Sequence, residues 1–212
     1  MPLILAFDTA AGRCAAAVFD GARRLAGREE IMARGHDSRL FPMIDEALAE
    51  AGRGYGDLDL VAVGTGPGNF TGARLAVSAA RGLALSTGAE AVGVDRFAAL
   101  AEGRRGIVCA ALLAPGGMLH VARFEGGAEV FAATLRPEEG GAAARGALVL
   151  GDGAAALVSA TGEGEAGDGL EAPLDAYAAA ALRLRGAAPR PTPRYLRPPA
   201  AAPMAPPPPM IG

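Results

Sequence analysis

The order of strand and helix patterns along this sequence predicts an α/β fold. Three segments with strand character come first, and helical and strand patterns then alternate. A glycine-rich turn joins a buried strand to an alanine-rich helix in the middle of the first half. With 212 residues, the chain has room for one large domain or two small ones. We therefore expect two subdomains, each built on a β-sheet.

Residues 1–101 supply one complete set of elements. Asp20-Gly21 is a hairpin signal between the second and third strands, and His36-Asp37-Ser38 marks the start of the first helix. The predicted elements are strands at 3–9, 14–20 and 24–32, a helix at 36–51, a strand at 60–63, a helix at 72–87, a strand at 91–94 and a helix at 97–101. This βββαβαβα order is the ribonuclease H-like arrangement, which actin-like ATPases and sugar kinases carry twice in tandem.

The rest of the chain repeats this order in a reduced form. The predicted elements are strands at 107–114, 119–125 and 128–135, a weak helix, a strand at 148–150 and a helix at 175–184. The sequence from residue 189 onward is rich in proline and alanine and cannot build a core. We predict an N-terminal ribonuclease H-like subdomain over 1–101, a reduced C-terminal subdomain over 102–188 and a Pro/Ala-rich tail over 189–212.

The glycine-rich turn has two phosphate-binding interpretations and a structural one. A P-loop needs a lysine directly after Gly72, where Ala73 stands, and a dinucleotide fingerprint needs a glycine in place of Asn69. A structural turn is favoured, with Asn69 or Thr71 capping the helix that follows. The predicted structural loop consists of Gly66, Pro67, Gly68, Asn69, Phe70, Thr71 and Gly72.

The helix after this turn is apolar around most of its circumference. Arg74, Ser78 and Arg81 form its one polar strip. Such a helix is either buried inside an α/β core or covered on one face by a partner protein. Its many small residues would let a second helix approach closely.

Composition and charge narrow the classes of function. The net charge is −3 and the pI is about 5.5, so no basic field predicts nucleic-acid binding. The sequence shows neither a secretory leader nor an apolar span of membrane length. Cys14 and Cys109 lie in predicted strands and are expected to be buried thiols. We expect a cytoplasmic protein without membrane contact, metal or cofactor.

Several motifs resemble those of one family, bacterial TsaB. They are I-L-A-F-D-T-A at residues 4–10, H-D-S-R-L-F-P-M-I at 36–44, G-T-G-P-G-N-F-T-G-A-R at 64–74, R-G-L-A-L at 81–85 and P-R-Y-L-R at 193–197. Asn69 stands where the family more usually has serine. The glycine motif is the most specific of these, and its place between a strand and a helix agrees with the family.

The resemblance implies a subunit without chemistry of its own in the synthesis of threonylcarbamoyladenosine on tRNA. It would pair with the related threonylcarbamoyl transferase as a heterodimer through the two helices, and an ATPase subunit would dock on the pair. The chain would bind tRNA only as part of the complex. Apart from the resemblance, the apolar face of these helices is compatible with either a homodimer or a monomer of the isolated chain. The implied interface residues are His36, Leu40, Met43, Ile44, Ala47, Arg74, Leu75, Ala76, Ser78, Ala79, Gly82 and Leu83. Glutamate at Ala76 or Ala80 is then expected to break assembly without unfolding the chain.

Two catalytic alternatives stay open. In actin-like ATPases an aspartate at the end of the first strand acts with magnesium and phosphates, which makes Asp8 the candidate nucleotide-side residue, although a turn-capping role is favoured. A glycoprotease-like peptidase needs a nucleophile or a metal, and the catalytic relative has histidines one helical turn apart. Here Leu40 follows four places after His36, so we predict no catalytic residue. Relatives carry the motif D-A-R-x-x-E-V-Y at the run 113–120, and this chain lacks its charged residues. The contacts that these charged residues make in relatives are therefore not expected here.

Overall fold

The computed structural model describes residues 1–196, which form two five-stranded β-sheets. The first sheet has the order β3-β2-β1-β4-β5 and consists of β1 (Leu3–Asp8), β2 (Arg13–Asp20), β3 (Arg23–Ile31), β4 (Leu60–Gly64) and β5 (Glu90–Val94). The second has the order β10-β9-β6-β7-β8 and consists of β6 (Ile107–Ala114), β7 (Met118–Glu125), β8 (Ala128–Leu135), β9 (Leu148–Leu150) and β10 (Glu165–Ala166).

The helices of the described residues lie on both faces of these sheets. They are α1 (His36–Glu50), α2 (Phe70–Thr87), α3 (Arg96–Ala101), α4 (Gly141–Ala144), α5 (Ala154–Thr161) and α6 (Leu174–Leu184). None of them has the length and hydropathy that a bilayer crossing requires. The predicted Pro/Ala-rich tail lies outside the described residues from residue 197 onward.

The two sheets share one topology. Strand β1 pairs antiparallel with β2 and parallel with β4, and β6 pairs antiparallel with β7 and parallel with β9. The predicted α/β fold of the ribonuclease H-like, actin-like class is therefore confirmed. The second copy is reduced in the length of its elements, since β10 has 2 residues and α4 has 4. Strand β10 and helix α5 were not predicted, because a two-residue strand leaves no period and an alanine-rich segment shows no clear apolar stripe.

Three buried clusters hold the layers together. Helices α1 and α2 cover the outer face of the first sheet, and α4 and α5 cover the outer face of the second. Helices α3 and α6 lie between the sheets, where Phe97 and Tyr177 are the large buried side chains. Although α6 follows the second sheet in sequence, it contacts β1, β4 and β5. The division at residues 101 and 188 stays a prediction.

Candidate functional site

Asp8 ends β1 at the centre of the molecule and is completely buried. Its Oδ1 accepts a hydrogen bond from the backbone N–H of Ala10 at 2.8 Å, and its Oδ2 accepts one from the Tyr177 hydroxyl at 3.2 Å. Burial, and then the nearby charge of Asp8, raise the pKa of Tyr177 well above its ordinary value, so this hydroxyl keeps its proton and donates. Asp8 caps a turn in this structure. Its burial and its two hydrogen bonds support the favoured turn-capping role, and the nucleotide-side role stays a prediction.

Two buried arginines surround this carboxylate. Arg13 donates from Nη1 to Glu29 at 2.9 Å, and Arg96 donates from Nη2 to both carboxylate oxygens of Glu171 at 2.7 and 2.8 Å. Arg96 also donates from Nη1 to the carbonyl oxygen of Pro67 at 3.0 Å, which ties α3 to the glycine loop. Burial lowers the pKa of Arg96, but nearby acidic groups, Glu171 foremost, raise it above its ordinary value. Each guanidinium therefore remains charged and pairs with a carboxylate of the same chain, although the buried Nε of Arg13 has no hydrogen-bond partner within the described residues.

Sequence reasoning missed three members of this network, Arg13, Arg96 and Tyr177. Weak signals point to two of them. Arg96 follows Asp95 directly after the end of β5, and Tyr177 is the one aromatic residue within the alanine-rich α6. Neither signal shows that the three side chains meet around Asp8, because they come from β2, α3 and α6.

The glycine loop lies in direct contact with the turn after β1. A Cβ atom at Gly68 would overlap the carbonyl oxygen of Ala10, and one at Gly72 would overlap the carbonyl oxygen of Thr9. The N–H of Asn69 donates to Ala10 at 2.7 Å, and the Thr9 hydroxyl donates to the carbonyl oxygen of Gly72 at 2.7 Å. Backbone atoms of the chain thus fill the space between the loop and the turn.

Asn69 is the N-cap of α2, which resolves the two candidates of the sequence. Its Oδ1 accepts hydrogen bonds from the N–H groups of Thr71 at 3.0 Å and Gly72 at 3.1 Å. Within the loop, Gly66, Pro67 and Gly72 are buried, whereas Gly68, Asn69, Phe70 and Thr71 are exposed.

Most of the residues predicted to contact a partner are buried in the chain's own core. His36, Leu40, Met43, Ile44, Ala47, Ala76, Ala79 and Leu83 are at most 8% exposed. The reason is that α1 and α2 place these side chains against the apolar outer face of the first sheet. These side chains offer a partner almost no surface in this structure, and their role in a partner interface stays a prediction. Ala76 and Ala80 are fully buried, so glutamate at either position would unfold the chain instead of blocking assembly alone.

The exposed side of α2 is narrower than the sequence suggested. We define the outer ridge of α2 as five of its exposed residues, Arg74, Ser78, Arg81, Gly82 and Leu85, which recur at helical spacing on one face. Only three of the predicted interface residues belong to this ridge, namely Arg74, Ser78 and Gly82, with Leu75 half-buried beside it.

The sequence patterns did not predict that three large apolar side chains of α1 and α2 are exposed, one of them on the ridge itself. Leu85 is 89% exposed, Phe70 51% and Phe41, on α1, 41%. Phe41 lines a groove of about 660 Å³ between α1 and α2, together with Tyr55 and Leu83. Phe70 and Leu85 lie near opposite ends of α2, so these side chains offer separate apolar contacts and not one patch.

The segment 189–196 crosses from one sheet to the other. Arg194 pairs with Asp95 at 2.9 Å, at the end of β5, and with Glu129 of β8 at 2.7 Å. The Tyr195 hydroxyl accepts a hydrogen bond at 2.8 Å from Nε of Arg74, on the outer ridge of α2. This segment therefore anchors the ridge to the second half of the chain.

Within residues 1–196, no cluster of three or more histidine, cysteine or acidic side chains forms a metal site. Cys14 and Cys109 are free and buried, as predicted. Burial raises the pKa of Cys14 to about 11 and that of Cys109 to about 12. Both side chains are therefore thiols at neutral pH.

A family model described as TsaD, tRNA N6-adenosine threonylcarbamoyltransferase, matches residues 29–164. The chain belongs to this family. It is 35% identical over 100 residues to the tRNA threonylcarbamoyladenosine biosynthesis protein TsaB of Escherichia coli, covering 47% of this chain and 43% of that protein. It is also 34% identical over 145 residues to the tRNA N6-adenosine threonylcarbamoyltransferase of Pelobacter propionicus, covering 58% of this chain and 43% of that one.

A solved structure from Pseudomonas aeruginosa, described as an uncharacterized protein with similarity to peptidase YeaZ, superposes with a TM-score of 0.78. That match has 29% sequence identity and covers 93% of this chain and 100% of the other. The resemblance to TsaB is thus confirmed, while the aligned part spans less than half the length of the E. coli TsaB and P. propionicus transferase sequences. The relatives of this chain thus carry both the TsaB and the transferase names.

Proposed function

We propose that this chain is a non-catalytic subunit that pairs with a tRNA N6-adenosine threonylcarbamoyltransferase in the synthesis of threonylcarbamoyladenosine on tRNA. Its similarity to E. coli TsaB, a biosynthesis protein, supports the pathway. The observation that carries the non-catalytic role is the filled space beside Asp8. An ATP-hydrolysing member of this fold class needs room there for phosphates and an ion. In this chain the space holds the chain's own loop and a tyrosine.

Opening that space would require several elements to separate. The start of α2 would have to move away from the turn after β1, breaking the hydrogen bonds of Asn69 and Thr9. Helix α6 would have to withdraw Tyr177 from Asp8. The hydrogen bonds of Thr9 and Tyr177 are buried, so separating these elements costs the free energy of those bonds and of the packing around them.

The outer ridge of α2 supports the pairing role. Ser78 and Gly82 are small and exposed, so a helix of the transferase can approach the ridge closely. Leu85 and the groove beside Phe41 offer apolar surface that such a helix would cover. In this proposal the ATPase subunit and tRNA bind the assembled pair, and the isolated chain forms a homodimer through the same ridge.

Pairing can be tested with the transferase-type subunit from the same organism. The two chains are mixed, and complex formation is measured by calorimetry and by size-exclusion chromatography with light scattering. Ser78→Trp places a large ring on the ridge, and Ala156→Trp is the matched control on the exposed side of α5. We expect a complex with the unaltered chain and with Ala156→Trp, and a loss of affinity of at least a hundredfold with Ser78→Trp.

Two results would contradict the proposal. One is the absence of a complex between the unaltered chain and the transferase-type subunit. The other is binding of ATP with magnesium by the isolated chain, at an affinity that Asp8→Asn removes without changing thermal stability.

A further inference from the structure

A groove runs between α2 and the segment that follows α6. Its volume is about 570 Å³. Arg81 and Leu85 of the outer ridge form one wall, and Ala188, Arg190 and Pro191 form the other. This groove lies on the side of α2 away from α1, so it is distinct from the groove beside Phe41.

Both arginines in the walls are exposed, and within residues 1–196 neither forms an ion pair or a side-chain hydrogen bond. Exposed arginines elsewhere in residues 1–196 are of both kinds: Arg39 pairs with Glu30 and Glu46, whereas Arg105 forms no ion pair. In a chain with a net charge of −3, two uncompensated guanidinium groups facing one groove form a local basic site.

The acidic residue that lines this groove is engaged elsewhere. Glu90 accepts a hydrogen bond at Oε1 from the N–H of Gly186 at 2.7 Å and pairs with neither arginine. Its charge offsets part of the positive field, which leaves an excess of positive charge at the groove. An occupant of opposite charge is therefore favoured over a neutral one.

The groove is preformed, because its outer wall is fixed at several points. The N–H of Arg194 donates to the carbonyl oxygen of Thr65 at 2.8 Å, and its guanidinium pairs with Asp95 and Glu129. Pro191 lies against the end of β5, where a Cβ atom at Gly93 would be 3.3 Å from it. A ligand segment would thus find the two walls already in place.

We propose that this groove receives an acidic segment of the transferase-type partner, with carboxylates at Arg81 and Arg190 and an aliphatic side chain over Leu85. This inference rests on the proposed function, since it states which kind of partner segment binds beside the outer ridge. Leu85 is 89% exposed and supplies the apolar contact. The arginines supply charge attraction, which acts mainly on the rate of association.

The test measures association and dissociation rates of the transferase-type subunit by surface plasmon resonance at 50 and 500 mM NaCl. Arg81→Glu/Arg190→Glu is compared with Arg105→Glu, an exposed arginine that forms no ion pair within residues 1–196. We expect the double variant to associate about tenfold more slowly at 50 mM and less than about threefold more slowly at 500 mM, because salt screens exposed charges. The control should change the rate by less than about twofold at both. Leu85→Ser should speed dissociation.

The outcomes separate this inference from the proposed function. If the unaltered chain does not bind the transferase-type subunit, the proposed function is wrong. If it binds and the double variant behaves like Arg105→Glu, the groove proposal alone is wrong. Two other results would contradict the proposal of an acidic segment. One is an association rate that falls by the same factor at both salt concentrations. The other is a double variant that weakens only the binding of tRNA to the complex. Circular dichroism confirms that each variant is folded.

Discussion

The same substitution at two positions of α2 should change stability in opposite directions. A Cβ atom at Gly72 would overlap the carbonyl oxygen of Thr9 and lie 2.8 Å from its carbonyl carbon. At Gly82, in the same helix, a Cβ atom would meet nothing within 4 Å. Neither glycine has a positive φ, so alanine brings no backbone strain at either site. The pair therefore isolates the effect of the contact between the glycine loop and the turn after β1.

The magnitudes follow from the contacts. Gly72→Ala forces the start of α2 away from β1, which costs ~1–3 kcal/mol of overpacking. It also stretches the bonds that join Thr9 to Gly72 and Asn69 to Ala10, each with a net value of ~1 kcal/mol. The gain from placing alanine in a helix returns ~0.5–1 kcal/mol, so we expect a net loss of ~2–4 kcal/mol. Gly82→Ala has the helix gain alone and should stabilise by ~0.5–1 kcal/mol.

Thermal unfolding followed by circular dichroism measures the difference. For a chain of this size, 1 kcal/mol shifts Tm by about 2–4 °C. Gly72→Ala should therefore lower Tm by about 4–16 °C, and Gly82→Ala should raise it by about 1–4 °C. A Gly72→Ala protein as stable as Gly82→Ala would refute the idea that the loop fills this space, and would favour an open loop that can receive a ligand.

Three further predictions concern buried polar groups and thiols. Tyr177→Phe removes the hydroxyl bond to buried Asp8 and should destabilise the chain by ~1–3 kcal/mol in urea unfolding. Burial, then the charge of Arg96, lower the pKa of His120 in the folded chain. Because the unfolded chain then takes up a proton first, stability should be full above about pH 6.5 and fall as pH drops below it, and His120→Gln should flatten that fall. Cys14 and Cys109 should react with a disulfide reagent at pH 8 only at the rate of unfolding.

Each of these three has a result that would count against it. Unchanged stability in Tyr177→Phe would mean that the hydroxyl bond contributes nothing, with Tyr195→Phe as the exposed control. If the pH dependence of stability is the same with and without His120, other groups cause the loss of stability at low pH. Rapid labelling of either cysteine in the folded chain would show that its strand opens without global unfolding.

Sequence patterns alone determined the fold class and the order of the main elements, apart from α5 and β10. Local signals were sufficient because each depends on neighbouring residues: the Asp20-Gly21 hairpin and the glycine turn between β4 and α2. The structural interpretation of the glycine loop rested on a missing lysine, which the sequence shows directly. The motifs also sufficed for the family, since the match to the TsaD family model spans residues 29–164.

Only the tertiary structure decided which surfaces are free. Alanine is apolar enough for a core and small enough for a helix contact, so the pattern of α2 could not separate Ala76, fully buried against the sheet, from a partner-facing residue. The network around Asp8 joins β1, β2, α3 and α6, and its members are up to 169 residues apart in sequence. The periodicity of apolar residues shows which face of a single helix or strand is apolar. Which element covers each face is settled by packing between distant segments, and that packing closes the centre of this molecule and leaves the outer ridge of α2 exposed.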